Sequence, residues 1–224
     1  MTSIIVPFCP SDLSEVESID LTWFVGADMI EWRADFLPVD KIFEAAEIIF
    51  KKFRDWPILF TLRSQAEGGR FTQSELIYNY ILKRILKEYR PNFVDVEAYS
   101  RKKSLKEFSN YLDKLVYSYH NLSEIPEDLV TIMSDFAEDK PALIKVAVQP
   151  QTKAEVWQLM QTAGIFRESF KTPLLMIALG KLGRISRVME SPLTFASGVG
   201  HQAENQGQLS ITKTKMLIDT LNED

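Results

Sequence analysis

Two hydrophobic periods alternate along this chain. Short runs rich in Val, Ile and Phe predict strands at Ile4–Phe8, Met29–Asp35, Pro57–Arg63, Phe93–Ala98, Leu115–His120, Leu143–Gln149, Leu174–Leu179 and Thr194–Val199. Most are apolar on both faces, as parallel strands covered by helices must be. The stretches between them carry helical period. Glu75–Arg90 is the clearest, with Ile77, Ile81 and Ile85 in one stripe beside Leu82, Leu86 and Tyr89. Thr152 and Glu155 have capping-box spacing ahead of Val156, Trp157, Leu159 and Met160. Pro126, followed by Glu127 and Asp128, suits a helix start, and Ser210–Asn222 predicts a closing helix.

Eight strands and about eight helical connections alternate strictly. Spread over eight units, 224 residues leave about 28 each, enough for one strand, one helix and two short loops. No linker-like stretch interrupts the series. The pattern therefore predicts an α/β fold of one domain, residues 1–224, built as a (β/α)8 TIM barrel. An open doubly wound sheet is the alternative, but it would normally show a Gly-rich turn after its first strand, and none follows Ile4–Phe8.

Composition narrows the function. Hydrophobic residues make up 46% and charged residues 25%, which excludes a disordered chain. No apolar run approaches the about 20 residues of a membrane span. Met1–Pro10 lacks the plan of a signal peptide, and the single cysteine, Cys9, fits a reducing cytoplasm. A net charge of −5 without a basic tract argues against nucleic acid or an anionic membrane as partner.

Barrel enzymes work at the carboxyl ends of their strands, so charge there is the informative signal. Five predicted strands carry it: Glu31, Arg33 and Asp35 on the second, Arg63 and then Glu67 on the third, Asp95 and Glu97 on the fourth, His120 on the fifth and Lys145 on the sixth. Charges inside apolar strands are costly unless paired or used. Lys145 has three apolar residues on each side, in Ala142–Val148. If its face looks into the barrel, desolvation and nearby cations favour the neutral, nucleophilic amine. The bland account is a structural lysine paired with Glu67 or Glu97. His120 lies 25 residues earlier, one repeat, and so on the neighbouring strand about 5 Å away. An imidazole beside an amine suits imine formation and proton abstraction next to a carbonyl. Glu31 and Arg33 share a face, while Trp32 points to the helices. Arg33, Arg63 and Arg187 would line the cavity with cations suited to a carboxylate or vicinal hydroxyls; a network tying the barrel layers together is the plain alternative. Two histidines and one cysteine cannot build a typical zinc site, and Gly180–Gly183 has the wrong spacing for a phosphate loop. His201 reads as a solvated loop residue.

Five blocks in order carry a resemblance. They are Glu-Trp-Arg-Ala-Asp at 31–35, Phe-Thr-Leu-Arg-Ser then Glu-Gly-Gly at 60–69, Ser-Tyr-His at 118–120, Ile-Lys-Val-Ala-Val at 144–148 and Gly-Lys-Leu-Gly-Arg-Ile-Ser-Arg at 180–187. Together they resemble type I 3-dehydroquinate dehydratase, from Ile4 to the last helix. The resemblance implies a homodimeric barrel that converts 3-dehydroquinate to 3-dehydroshikimate and water, the third step of the shikimate pathway, without metal or organic cofactor. It implies Lys145 as the Schiff-base lysine, His120 as the general acid/base and Glu67 as the glutamate beside it. It assigns Glu31, Arg33, Arg63, Arg187 and Gln208 to substrate binding, Gln208 in a lid at about 199–209. That lid departs from the family's Ser-Ala-Pro-Gly-Gln: here Glu204 replaces the serine and Gln206 the proline. Pro7 stands where some members have a substrate-contacting serine. A Schiff-base aldolase with a phosphate site near Gly198–Gly200, and a ligand-binding barrel without turnover, are the competing readings.

Overall fold

The computed structural model describes residues 2–189, 191–198 and 207–222. Eight strands follow one another as β1 (Ser3–Phe8), β2 (Met29–Arg33), β3 (Ile58–Thr61), β4 (Phe93–Glu97), β5 (Leu115–Asn121), β6 (Leu143–Val148), β7 (Leu174–Ala178) and β8 (Leu193–Ser197), with a two-residue β9 (Leu209–Ser210) against β8. All pair in parallel, in the order β7-β6-β5-β4-β3-β2-β1-β8-β9. Six α-helices cover them: α1 (Leu13–Ser18), α2 (Ile42–Lys52), α3 (Glu75–Arg84), α4 (Leu129–Glu138), α5 (Lys153–Ser169) and α6 (Ile211–Asn222). After β4 and β7 the connection is 3₁₀ instead, at Leu105–Lys114 and Leu182–Arg187. This is the barrel that the alternation predicts, curled into a single parallel sheet.

Alternation along each strand divides the apolar residues into two cores. The larger lies between strands and helices and holds Trp32, Phe60, Val96, Tyr117, Ile144 and Val146. Trp32 indeed faces the helix layer, its ring 5.1 Å from that of Phe60. Helix α2 shows how a helix joins this core: Ile42, Ala45, Ala46 and Ile49 are buried at the i, i+3, i+4, i+7 positions. The smaller core plugs the barrel interior with Ile5, Met29, Leu59, Val116, Leu143, Leu175 and Phe195. No helix among the described residues is long and apolar enough to cross a membrane.

Several boundaries differ from the pattern. Strands β2 and β3 stop short of Asp35 and Arg63 because the chain turns as soon as it leaves the sheet: Ala34–Phe36 is a 3₁₀ turn. The stripe at Glu75–Arg90 is helical throughout, but its last turn, Ile85–Tyr89, widens to a π-turn that ends on Arg90 at φ 51°. Helix α4 starts at Leu129, not at Pro126, since the Pro126 carbonyl accepts from Leu129 N–H and closes a turn ahead of the helix. The predicted lid residues Glu204 and Gln206, and His201, lie outside the described residues.

Candidate active site

Interior positions beyond the apolar plug are polar, and they rise in layers toward the carboxyl ends of the strands. Parallel register sets each layer. Glu97 of β4 stands beside Ser118 of β5, and Ser118 beside Lys145 of β6. His120 stands beside Ala147, one layer above Lys145. A cavity of about 740 Å³ opens over these layers. Its wall includes the eight residues that the resemblance assigns to the site: Glu31, Arg33, Arg63, Glu67, His120, Lys145, Arg187 and Gln208.

Lys145 is 4% exposed and lies at the bottom of the cavity. Its Nζ donates to Asp95 Oδ2 at 2.9 Å and to Glu31 Oε1 at 3.2 Å, and sits 4.9 Å from the centre of the Phe195 ring. The partners are therefore Asp95 and Glu31, and not Glu67 or Glu97. Glu31 Oε1 also accepts from Thr61 Oγ1 at 2.9 Å. Asp95 Oδ1 accepts from Ser118 Oγ at 2.6 Å and pairs with Arg63 Nη2 at 2.7 Å. Burial alone would raise the Asp95 carboxyl, but Arg63 and Lys145 outweigh it and hold the group well below the usual carboxylate range.

Arg63 is the hub of the interior. Its Nη1 donates to Ser118 Oγ at 3.0 Å, Glu97 Oε1 at 3.3 Å and Glu67 Oε2 at 3.4 Å. Burial opposes the guanidinium charge, yet Asp95, Glu97 and Glu67 together hold it above its ordinary range. Arg33 makes a two-pronged pair with Asp35, at 2.8 and 2.9 Å. The expected cationic lining is thus largely neutralised within the protein. Burial pulls the guanidinium of Arg187, 3% exposed, down to about 10.

His120 Nδ1 lies 2.9 Å from Glu67 Oε2. Burial, with Arg63 and Lys145 nearby, pushes the imidazole well below its usual range. Burial raises Glu67 to about 8 against the pull of Arg63. The ring is therefore neutral near neutrality. With its Nδ1–H donated to Glu67, Nε2 would carry a free lone pair, as a base requires. Glu67 is itself held by Ser100 Oγ, 3.2 Å from Oε1, and by the turn that carries it. Gly68 (φ 85°) ends that turn, and at Gly69 a Cβ would collide with the Arg63 carbonyl. This is what the Gly68-Gly69 pair is for.

Gln208 precedes β9, and its Oε1 is buried with no hydrogen-bond partner among the described residues. Gly207 beside it (φ 72°) packs against the backbone of Gly180, which seats this stem on the loop after β7. Burial pushes the Cys9 thiol up to about 12, which leaves it unsuited as a nucleophile. Among the described residues, no group of three or more His, Cys, Asp and Glu side chains is arranged to hold a metal ion. In the sequence, Asp95 and Glu97 stand out as strand-end charges, Glu97 as a possible structural partner of Lys145, while Thr61 and Ser118 appear within the family blocks with no role attached. Alternation would have found Asp95, which shares the face of Glu97 two residues on.

A family model described as Type I 3-dehydroquinase matches residues 4–224. A 3-dehydroquinate dehydratase of Lactococcus lactis subsp. cremoris (strain SK11) is 38% identical over 227 residues, covering 100% of this chain and 98% of the relative. One from Streptococcus pneumoniae (strain Hungary19A-6) is 36% identical over 225 residues, covering 98% and 99%. Among solved structures, the 3-dehydroquinate dehydratase of Geobacillus kaustophilus HTA426 superposes with a TM-score of 0.85 at 27% identity, covering 99% of this chain and 91% of that one.

Proposed function

The chain belongs to the type I 3-dehydroquinase family, and on that premise we propose that it is a hydro-lyase acting on 3-dehydroquinate through an imine on Lys145. The observation that carries this reading is the placement of a buried amine at the bottom of the cavity, one layer below a neutral imidazole on the adjacent strand.

The chemistry runs as follows. The Lys145 ammonium passes a proton to the neutral His120 imidazole, and the freed amine attacks the C3 carbonyl carbon, forming a C–N bond. The carbonyl oxygen takes up protons and leaves as water, and a protonated imine remains. That cation draws electrons and acidifies the neighbouring C2–H. His120 Nε2 removes the C2 proton, and the electron pair flows into the imine as an enamine. The C1–O bond then breaks as His120 returns its proton to the departing hydroxyl, and water leaves. A second water hydrolyses the conjugated imine to 3-dehydroshikimate and restores the amine. The balance is one substrate to one product and one water. Arg187 lines the cavity as a cation and is suited to the substrate carboxylate. Glu31, Arg33 and Arg63 hold hydroxyls and the reacting end, and their work is orientation. The homodimer, the cytoplasmic setting, the place in the shikimate pathway and the lack of an organic or metal cofactor belong to this proposal through the family resemblance alone.

The test is borohydride reduction in the presence of 3-dehydroquinate, followed by mass spectrometry, with enone absorbance as the measure of turnover. An adduct on Lys145 together with new absorbance is expected. Lys145→Ala should give neither while keeping its fold, and wild-type rates in that variant would refute the assignment. Trapping without absorbance would favour a ligand-binding barrel.

A further inference from the structure

We propose that Asp95 is the positioning residue for Lys145, a fixed anion that aims the amine at the cavity and faces the positive charge of the protonated imine. The inference rests on the imine reading above and adds a residue to it. Asp95 is 1% exposed and does not line the cavity, so it has no route to substrate and acts through Lys145. Both of its oxygens are engaged on the side of the amine's own layer: Oδ2 takes the Lys145 Nζ at 2.9 Å, and Oδ1 takes Ser118 Oγ at 2.6 Å and Arg63 Nη2 at 2.7 Å. A carboxylate held at one oxygen by the hydrogen bond of a hydroxyl and the charge of an adjacent guanidinium presents the other in a set direction.

The two carboxylates on Nζ are not equivalent. Glu31 lines the cavity and has Thr61 as its other partner, so incoming substrate can engage it. Asp95 keeps the Arg63 cation whatever happens at Nζ. When the ammonium passes its proton to the neutral His120 imidazole and attacks, Asp95 therefore stays ionised and in place. When the imine is protonated, the new cation forms opposite an anion that needs no rearrangement, which is the arrangement that lowers a barrier. The charged and titratable groups around this pair are Glu31 on β2, Arg63 after β3, Glu97 on β4 itself, His120 on β5 and Glu67 in the turn after β3. Among them Asp95 is the anion touching both Lys145 and Arg63.

The experiment follows adduct formation and turnover with 3-dehydroquinate across a pH series, in the full-length wild type, Asp95→Asn and Asp95→Glu. Asparagine keeps the shape and the bond to Ser118 but removes the charge. Without the anion, the ammonium releases its proton more readily. The midpoint of borohydride trapping should then move down by about one pH unit, while kcat falls by about 10²-fold because the imine cation has lost its counterion. Asp95→Glu restores a carboxylate and should bring the midpoint back toward the wild type. A loss of kcat with an unmoved midpoint means a merely structural residue and overturns the inference, as does a fully active Asp95→Asn. A wild-type enzyme that forms no adduct removes the imine reading itself, which is a separate failure. If Asp95→Asn does not fold, Ser118→Ala carries the test. It leaves every charge but frees Oδ1 from its hydroxyl and takes one of three acceptors from Arg63 Nη1, so kcat should drop several-fold, and wild-type kcat would overturn the proposal.

Discussion

Burial moves the protons of Glu67 and His120 in opposite senses, and stability should bear both marks. Folded Glu67 keeps its proton to about pH 8, against an ordinary value of 4.5. Between those values the folded chain binds a proton that the unfolded chain has released, so this residue's contribution falls as pH rises through the window. His120 works the other way. The unfolded imidazole takes up a proton below about 6.5 that the folded one refuses, so its contribution is lost as pH falls. Glu67→Gln removes the first effect and leaves the second. The difference in unfolding free energy, variant minus wild type, should therefore climb from pH 5 to pH 8, by at most about 1.4 kcal/mol per pH unit. Urea melts at several pH values measure this, and parallel curves would show that Glu67 titrates in the ordinary carboxylate range. At this scale the sequence was informative where charge stands out against an apolar strand, as at Lys145 and His120. It could not say whom Asp95 and Glu97 would meet. Arg63 lies just past the end of β3, and its choice among Asp95, Glu67 and Glu97 depends on rotamer and barrel curvature, neither of which has a period.

Local chemistry governs single elements more openly. Thr152 caps α5: its Oγ1 accepts from Glu155 N–H at 3.2 Å and lies 3.2 Å from Glu155 Oε1. Glu155 Oε2 accepts from Gln151 N–H at 2.8 Å, one residue ahead of the capping box's usual donor, the N–H of the cap residue itself. Thr152→Ala should cost about 1 kcal/mol, seen as a lower urea midpoint with an unchanged slope, and kcat should not move because the cap stands away from the cavity. An unaltered midpoint would mean that packing along α5 fixes its start without the cap. This cap was visible in the sequence because it depends on four consecutive residues. The connection after β4 was not. Leu105–Lys114 is 3₁₀ and breaks at Tyr111 (φ −126°); its apolar stripe shows which face packs, with Leu105 and Phe108 buried, but not the tighter winding or the break. Strand ends were misjudged for a related reason. Apolar runs record where a side chain is covered, whereas ladder bonds end wherever the neighbouring strand turns away, as at Thr61 and Arg33.

Closure of the barrel is a property of the whole molecule. Among the described residues no ladder joins β7 to β8, and side chains span that seam instead. Leu175 and Ile177 meet Phe195 in the interior core, and Thr194 Oγ1 of β8 donates to the carbonyl of Arg187 at 2.6 Å. The segment that ends in Arg187 is itself tied down, since Ser186 Oγ accepts from Ala178 N–H and donates to the Gly183 carbonyl. Gly183 lies so close to the Ala178 carbonyl that a Cβ would collide with it. One hydroxyl therefore fastens the strand that completes the barrel to the residue suited to grip the substrate carboxylate. Thr194→Val keeps the shape and deletes the bond, at a cost of about 1 kcal/mol. If closure and binding share this link, the variant should lose stability by that amount and also raise KM, while kcat stays near the wild-type value because Lys145, Asp95 and His120 lie on other strands. Loss of stability with an unchanged KM would separate the two roles and leave Arg187 positioned by its own turn. Neither outcome could be foreseen from periodicity, which shows that eight strands are present and is silent on which pair closes the ring by side chains.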